Sequence, residues 1–319
     1  MHRQLGVRGI ADEMLGERAK GKLDRINELV DWSRLTVIVK NIHDAAEGRP
    51  AFPPLVLVKA LLLAQWYSLS DPQLEEALQD RISFRRFVGL TWEDPTPDEV
   101  TLWRFRQELG KHERHQRLMK ALERQFEEKK LILKHGTLLD ATIVEAQAAE
   151  PSYKDPSERS KSEVDPDADW TRGPRGTTFG YKAHIAVDAE SGLIRRAILT
   201  PANIYESLVA DELICGDEQA VYADKAYEHK ERRQRLREQG IYDGIMHRSH
   251  KNQTGLPTWQ VLHNQIIGPV RKKIERVFGT LKRSYGFTRV RYYSLEANAT
   301  QLSLLAIAMN LRRALVLTA

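Results

Sequence analysis

The spacing of apolar residues changes near residue 130, which limits the chain to a helical front followed by a sheet-containing part. Before that point apolar residues recur at helical spacing, and Pro, Ser or Asp stands where helices would begin. The predicted helices are 55–69, 73–79, 84–88, 99–109 and 113–129. After it, short apolar or alternating runs bounded by Gly, Pro, Asp or Asn predict strands at 137–144, 181–187, 193–199 and 220–223.

The second part alternates predicted strands with helices, which is typical of a mixed α/β sheet covered by helices. The segment 188–192 predicts a hairpin turn, and the polar segment 151–178 predicts a long surface loop. Further along we expect a helix at 228–239, a strand at 241–246, a polar loop to about 265, and helices at 266–285 and 297–317. The predicted domains are 1–130, all helical, and 131–319, α/β with a polar insertion at about 148–179.

Composition is that of a globular chain, with 41% hydrophobic and 29% charged residues and a net charge of +5. The single cysteine, Cys215, excludes an intramolecular disulfide and any multi-cysteine metal site, which favours a reducing compartment such as the cytoplasm. The N-terminus lacks the apolar core of a signal peptide, and no apolar run approaches the roughly 20 residues of a membrane span. We therefore expect a protein with no membrane partner.

Two aspartates stand at positions where a sheet could use them for chemistry. Asp140 lies within the apolar run 137–144, where a lone carboxylate is costly unless it is paired, hydrogen-bonded or bound to a metal. Asp224 follows the run 220–223, and the carboxyl ends of strands are where open α/β sheets build their sites. The alternatives remain open: Asp140 could lie at a sheet edge, and Asp224 could be a turn residue.

Glu275 is the third candidate acid, because it lies on a helix whose other charges are all positive. Helical periodicity places Arg271, Glu275 and Lys282 on one stripe beside the apolar face. From Gln265 to Leu295 there are eight basic residues and one acid: Arg271, Lys272, Lys273, Arg276, Lys282, Arg283, Arg289 and Arg291, with Glu275. This density favours a surface that follows a phosphate backbone, although a solvated Arg–Glu pair is the simpler alternative.

Three carboxylates that meet at strand ends could hold two divalent cations roughly 3.5–4 Å apart for phosphoryl transfer. Mg²⁺ is the ion expected for an oxygen-only donor set, with Mn²⁺ able to substitute. The competing zinc interpretation uses the pairs His112–His115 and His247–His250. We discount it because neither pair has a nearby third ligand.

Several blocks of the sequence resemble the DDE transposases of bacterial insertion sequences, in particular the insertion-sequence-five group. The front-end segments FPPLVLVKALLLAQWYSLSDPQLEEALQDRISFRRFVGL and PDEVTLWRFRQEL are similar to that group's helical domain. GTLLDATIVEA, FGYKAHIAVDAESGLI, VYADKAY and RKKIERVFGTLKRSYGF are similar to its catalytic blocks. Two positions depart from the family pattern: Gly268 stands where a Tyr is frequent, and Ala226 where a Gly is frequent.

The resemblance implies a ribonuclease-H-like fold in which Asp140, Asp224 and Glu275 are catalytic and bind two Mg²⁺. It implies double-stranded DNA as partner, namely inverted-repeat ends and target DNA, with a homodimer acting near the bacterial nucleoid. The residues expected to bind DNA are Arg271, Lys282, Lys182, His184, Lys272, Arg283, Arg289 and Arg291.

The function that the resemblance implies is transposition by phosphodiester hydrolysis and strand transfer. Two rival functions stay open: a non-catalytic DNA-binding protein derived from a transposase, and a nuclease on the same fold. In the front end, residues 1–130 are expected to bind DNA ends and support dimer contacts. Trp66 and Trp103 are expected in the core of that domain.

Overall fold

The computed structural model describes residues 2–6, 20–42, 50–150, 162–173, 176–249 and 255–319. The chain forms two compact units, one of residues 1–128 with Ser303–Ala319 and the other of Lys129–Leu302. The first unit thus includes the end of the chain, which the division of the sequence at residue 130 assigned to the second domain.

The first unit is built of helices whose ends follow from local sequence. Their bounds are α1 Lys22–Leu29, α2 Trp32–Val39, α3 Pro54–Tyr67, α4 Asp71–Asp80, α5 Ile82–Val88, α6 Glu99–Gly110 and α7 Arg114–Glu128. Pro54 begins α3, and Ser70 begins α4 with a reciprocal capping box to Gln73. The predicted helices of the front end are confirmed, and α1 and α2 add to them.

The two front-end tryptophans have different surroundings. Trp66 is buried, as predicted, and its indole nitrogen donates to the carbonyl of Ala308 at 2.8 Å. The core prediction for Trp103 is wrong, because its side chain is 51% exposed. Helix α6 buries Leu102, Phe105 and Leu109, and residue 103 lies one step, about 100°, around the helix from that face.

The second unit contains a six-stranded sheet with strands β1 Thr137–Glu145, β2 Asp169–Gly173, β3 Gly176–Asp188, β4 Ile194–Pro201, β5 Ala220–Ala223 and β6 Tyr242–Ile245. Strand β3 pairs antiparallel with β1, β2 and β4, whereas β1, β5 and β6 are parallel. The order β4-β3-β1-β5-β6, with β2 on the end of β3, is that of a ribonuclease-H-like sheet. The predicted mixed α/β fold is confirmed.

Helices of the second unit flank this sheet: α8 Glu206–Leu213, α9 Lys230–Glu238, α10 Thr258–Arg271 and α11 Ile274–Tyr285. Helix α12, Leu295–Leu317, begins in this unit, and its residues from Ser303 belong to the first. Helices α8 and α9 share a buried core with β1, β3, β5 and β6, which includes Leu139, Val209 and Leu236. Helix α11 packs on β1 with Ile274, Val277, Phe278, Leu281 and Tyr285 buried, which is the predicted apolar stripe. This packing brings α10 and α11 to the end of β1.

Four expectations in the second unit need correction. The predicted loop 151–178 contains β2 and the start of β3, because Trp170 is buried against Phe179; residues 151–161 and 174–175 lie outside the described part of the chain. The polar loop expected up to 265 ends where α10 begins at Thr258. The single helix 266–285 is two helices, because the chain tightens into i,i+3 hydrogen bonds at Glu275 and Arg276. Helix α8 was not predicted.

Candidate active site

The parallel pairing of β1 with β5 brings Asp140 and Asp224 to one edge of the sheet. Leu138 lies opposite Tyr222, and each aspartate comes two residues later on its own strand. Asp224 follows the last residue of β5, and its carboxylate accepts from the backbone N–H of Ala226 at 2.7 Å, beginning the 3₁₀ turn Lys225–Tyr227. Asp140, in the middle of β1, is therefore placed beside the carboxyl end of β5, which Asp224 follows.

Arg271 connects the third acid to this edge. Its guanidinium lies 2.9 Å from Oδ2 of Asp140 and 3.7 Å from Oε1 of Glu275. Arg271 ends α10 and Glu275 lies in the first turn of α11, so the sharp turn between the helices sets their separation. Glu275 is 59% exposed, whereas Asp140 and Arg271 are largely buried. One cation thus approaches two carboxylates, Asp140 and Glu275, and balances the charge of only one of them.

Asp140 is electrostatically unusual among these acids. Burial raises the pKa of its carboxyl to about 6, and the negative charges of Asp224 and Glu206 add to the rise. Arg271 and the hydrogen bond from the N–H of Ala141 act in the opposite direction without overcoming burial. A carboxylate that is costly to ionise, beside others of the same charge, is typical of a site built to receive a cation.

Glu206 is a further acid at this site that the sequence analysis missed. It lies in the first turn of α8, and its Oε1 forms an ion pair with Nζ of Lys182 at 3.0 Å. Lys182 also donates to the carbonyl of Ile204 at 2.8 Å, which holds the segment before α8 against β3. The signal available in the sequence was an acid shortly after the predicted strand 193–199, in a stretch to which no element was assigned.

The residues predicted to bind DNA divide by exposure. Lys272, Arg283 and Arg289 are exposed, and Arg289 pairs with Glu145 of β1 at 2.9 Å. Lys282 donates to the carbonyl of Ile143 at 3.2 Å and Arg291 is half-buried.

Lys182 and His184 differ from these residues because both are buried on β3. Nε2 of His184 shares a hydrogen bond with Thr200 at 2.9 Å, and burial lowers the pKa of His184 to about 4.

A cavity of about 330 Å³ opens beside Asp224. The residues that line it include Tyr205, Glu206, Lys225 and Arg248, so it joins an exposed aromatic ring and two cations to the acidic edge. Lys225 follows Asp224 directly, and Arg248 follows β6. Glu228 also lines the cavity, so its two cations are balanced by two acids, and the exposed ring of Tyr205 offers a stacking surface.

Two family models match this chain. One, described as a transposase domain (DUF772), matches residues 12–108, and the other, described as a transposase DDE domain, matches residues 133–311. The second alone covers more than half of the chain. The chain belongs to the DDE transposase family.

Two solved transposase structures are similar to this DDE transposase chain. The first is the cryo-EM structure of a piggyBac transposase synaptic complex with hairpin DNA, at 10% identity and a TM-score of 0.44, covering 91% of this chain and 72% of that chain. The second is the crystal structure of a pre-cleavage Mos1 transpososome, at 11% identity and a TM-score of 0.20, covering 94% and 98% respectively. The family assignment depends on the family models.

Membership of the DDE transposase family implies a divalent cation, and the donor set fits one. Asp140, Asp224, Glu275 and Glu206 offer carboxylate oxygens, which hard divalent cations prefer. The ligand oxygens of the predicted triad do not all lie within 4.8 Å of one another, and the positive guanidinium of Arg271 stands between two of them. The negative charge that a cation would compensate is therefore gathered at this edge.

Other candidate metal ligands of the transposase are accounted for by protein contacts. Among the described residues, the group of three potential ligands within 4.8 Å of one another is Cys215, Asp217 and Glu218, and its carboxylates are paired with Arg195. His115 is buried against Ser303. The second histidine pair includes His250, which lies outside the described residues. Over the described ranges, no helix is long and apolar enough to span a bilayer.

Proposed function

We propose that this chain is a transposase of a bacterial insertion sequence of the insertion-sequence-five group. In this proposal it binds the terminal inverted repeats, cleaves a phosphodiester at the element end by hydrolysis, and joins the freed 3′ end to target DNA. The observation that carries the proposal is the gathering of Asp140, Asp224 and the Arg271–Glu275 pair at one sheet edge in a DDE family member.

Asp140, Asp224 and Glu275 would hold two Mg²⁺, for which Mn²⁺ could substitute. The bound cations supply activation of the attacking hydroxyl and stabilisation of the leaving oxygen in an in-line displacement. The elevated pKa of Asp140 supports this assignment, because binding of a cation offsets the cost of keeping a buried carboxylate ionised. Glu275, exposed in the first turn of α11, is open to substrate on the same side.

Arg271 would bind a phosphate near the scissile bond, because its planar guanidinium already lies between two of the acids and suits bidentate contact with phosphate oxygens. Lys282 would hold the backbone of β1 and contribute positive charge two turns further along α11. The DNA backbone would follow the exposed cations of the turn and of α11 and the segment after it: Lys272, Lys273, Arg276, Arg283 and Arg289.

Lys182 and His184 take a different part in the proposal from the one expected. Because Lys182 is buried and paired with Glu206, it would position that acid rather than contact DNA. His184 is fully buried on the same strand and bonded to Thr200, so it would support the sheet beneath the site.

The first unit would recognise the ends of the element and contribute to dimer contacts, since two ends require two active sites held together. Helix α6 supports this role, because it exposes Trp103 beside the exposed Arg104. A basic and an aromatic side chain together suit contact with DNA. We propose that the protein works as a homodimer on double-stranded DNA at the bacterial nucleoid.

The test is to incubate the purified protein with its flanking element DNA and Mg²⁺ and to map the cut positions. Asp140→Asn, Asp224→Asn and Glu275→Gln should each lower the cleavage rate by at least about a thousandfold while binding to inverted-repeat DNA survives. Asp217→Asn is the matched control, because it removes an acid at the opposite end of the same sheet and should leave cleavage intact.

A strand-transfer assay with pre-cut ends separates the proposal from its rivals. A transposase joins those ends to target DNA, whereas a plain nuclease gives no joined product. A chain that binds inverted repeats but neither cleaves nor joins them is a DNA-binding protein without catalysis. Retained cleavage in any one of the three acid variants rejects the role given to that residue.

A further inference from the structure

Tyr227 has a buried hydroxyl that no hydrogen bond satisfies. Its side chain is 1% exposed, and the ring packs in the core that α8 and α9 share with the sheet. The hydroxyl oxygen has no hydrogen-bond partner in the structure. Leaving a buried polar group unpaired destabilises the folded state, so such a group in a well-packed core requires an explanation.

Tyr227 lies close to the acids of the candidate active site, because it is part of the turn that Asp224 begins and its ring shares a core with Leu139, the neighbour of Asp140. The charged groups that act on it are Asp140, Glu206 and Asp224, which are negative, and Arg271, which is positive. Burial is the largest cause of the elevated pKa of Tyr227, and the three carboxylates add to it. We call Asp140, Glu206 and Asp224 the acidic cluster. A tyrosine hydroxyl can donate a hydrogen bond to an ionised carboxylate.

The backbone holds Tyr227 in place, so the unpaired hydroxyl is not the result of a loose side chain. Its N–H donates to the carbonyl of Asp224 at 3.1 Å, within the 3₁₀ turn that Asp224 begins. Its carbonyl accepts from Arg232 at 2.5 Å, and Arg232 is itself fixed by Asp211 at 2.7 Å. Tyr227 is thus tied through one turn to a proposed ligand of the cation, while its ring is fixed by the core.

We propose that Tyr227 is a positioning residue of the cation site, whose hydroxyl donates a hydrogen bond to a carboxylate of the acidic cluster when that cluster holds its divalent cations. The inference rests on the proposed function, because it needs the cluster to bind a cation. A carboxylate of this cluster is the favoured partner, since the hydroxyl is closed to solvent and the turn that carries Tyr227 begins at Asp224. Hydrogen bonds of this kind orient ligands and commonly change metal affinity by 10- to 100-fold.

The test compares Mn²⁺ binding and stability in Tyr227→Phe, which removes the hydroxyl and keeps the ring. Titration calorimetry of the full chain with Mn²⁺, without DNA, should show affinity about tenfold lower than in the original protein. Urea unfolding in metal-free buffer should show no loss of stability, because the removed hydroxyl had no partner to lose.

Tyr181→Phe is the matched control, since Tyr181 is also buried in this unit but its hydroxyl donates to Asp165. It should lower stability in metal-free buffer and leave Mn²⁺ affinity unchanged. Equal Mn²⁺ affinity in Tyr227→Phe and the original protein overturns the inference, as does a loss of metal-free stability in Tyr227→Phe.

Asp140→Asn separates this inference from the proposed function. If the original protein binds Mn²⁺ and Asp140→Asn weakens that binding, the cation site stands and the result for Tyr227→Phe decides the inference alone. If the original protein binds no Mn²⁺, or if Asp140→Asn binds it equally well, the proposed function fails and the inference fails with it.

Discussion

The two ends of the central strands carry acidic groups in opposite electrostatic conditions. Before β5, Asp217 and Glu218 face the guanidinium of the buried Arg195, and Lys134 pairs with Asp217 at 2.7 Å. After β5 and within β1, Asp224 and Asp140 meet with Arg271 as the cation bound to Asp140. At the first end, hydrogen bonds from Lys134 and Arg195 overcome burial and lower the pKa of Asp217 to about 2. Burial raises the pKa of the neighbouring Glu218, and the charge of Arg195 opposes that rise. At the second end, burial raises the pKa of Asp140 to about 6.

The difference shows that acids lying close together need not form the functional site. The group before β5 has ligand atoms close enough for a metal, yet its negative charge is already compensated by protein cations. The group after β5 is spread more widely, carries an excess of negative charge and includes a buried hydroxyl without a partner. Uncompensated charge is costly for folding and useful for binding. We therefore assign a structural role to the acids before β5 and propose a catalytic role for the acids at the other end.

The largest effect is expected from Arg195→Met. Arg195 is 1% exposed, and its removal leaves Glu218 buried and the charge of Asp217 less compensated. Loss of one partner from a buried ion pair typically costs about 3–5 kcal/mol, so the free energy of unfolding in urea should fall by about 3 kcal/mol. Arg196→Met, at the neighbouring half-buried position, should cost less than about 1 kcal/mol. Equal losses would contradict the structural role of the first end.

Asp140→Asn should raise the free energy of unfolding, whereas Arg195→Met lowers it. The pKa of Asp140 lies above its ordinary value of 3.8, so the folded state favours the protonated form and ionisation costs stability. The substitution should raise the free energy of unfolding in metal-free buffer at pH 7.5 by at most about 3 kcal/mol. The gain should shrink as pH falls through about 6 and vanish below about 4, because the original carboxyl is then protonated in both states. A loss of stability at pH 7.5 would contradict an excess of negative charge around Asp140.

Asp217→Asn sharpens this test because its pKa is shifted in the other direction. The pKa of Asp217 lies below its ordinary value, so its contribution to stability is present above about pH 4 and is lost as pH falls towards 2. Its side chain is 41% exposed, and with that screening the substitution should cost about 1 kcal/mol at pH 7.5. Urea unfolding of both variants across pH 3–8 should show that Asp140→Asn raises the free energy of unfolding relative to the original protein and that Asp217→Asn lowers it.

Much of the second end was predictable from sequence because its residues lie within short, regular elements. The strand 220–223 has the bounds that its four apolar residues predict, and the apolar stripe of α11 fixes where Glu275 lies relative to the buried face. The approach of Asp140 to Asp224 depends on β1 lying beside β5, which the family resemblance implied and local pattern did not. The placement of the three acids as ligands stays a prediction.

What sequence could not supply were contacts set by tertiary packing. Glu206 lies in a short helix whose apolar residues, Val209, Ala210 and Leu213, are too few for a distinct period. The break between α10 and α11 occurs at two lysines, whereas Gly268 and Pro269, the residues that would signal a helix end, lie inside the last turn of α10. The exposed face of α10, with Trp259, Leu262 and Ile266, has helical spacing, but polar residues surround its first part, and the pattern predicts a loop up to about residue 265 and a helix from Ile266.

The smallest effect is expected from Lys134→Met, which tests whether burial sets the strength of pairing at the first end. Lys134 and Asp217 are 29% and 41% exposed, so their ion pair is screened by solvent and should contribute only about 0.5 kcal/mol. Urea unfolding at low salt should show that loss, and 0.5 M NaCl should reduce it. Lys130→Met is the control, because Lys130 also has a positive φ but forms no ion pair among the described residues. A loss as large as that of Arg195→Met would mean that the charge of Lys134, rather than the buried guanidinium, compensates the acids before β5.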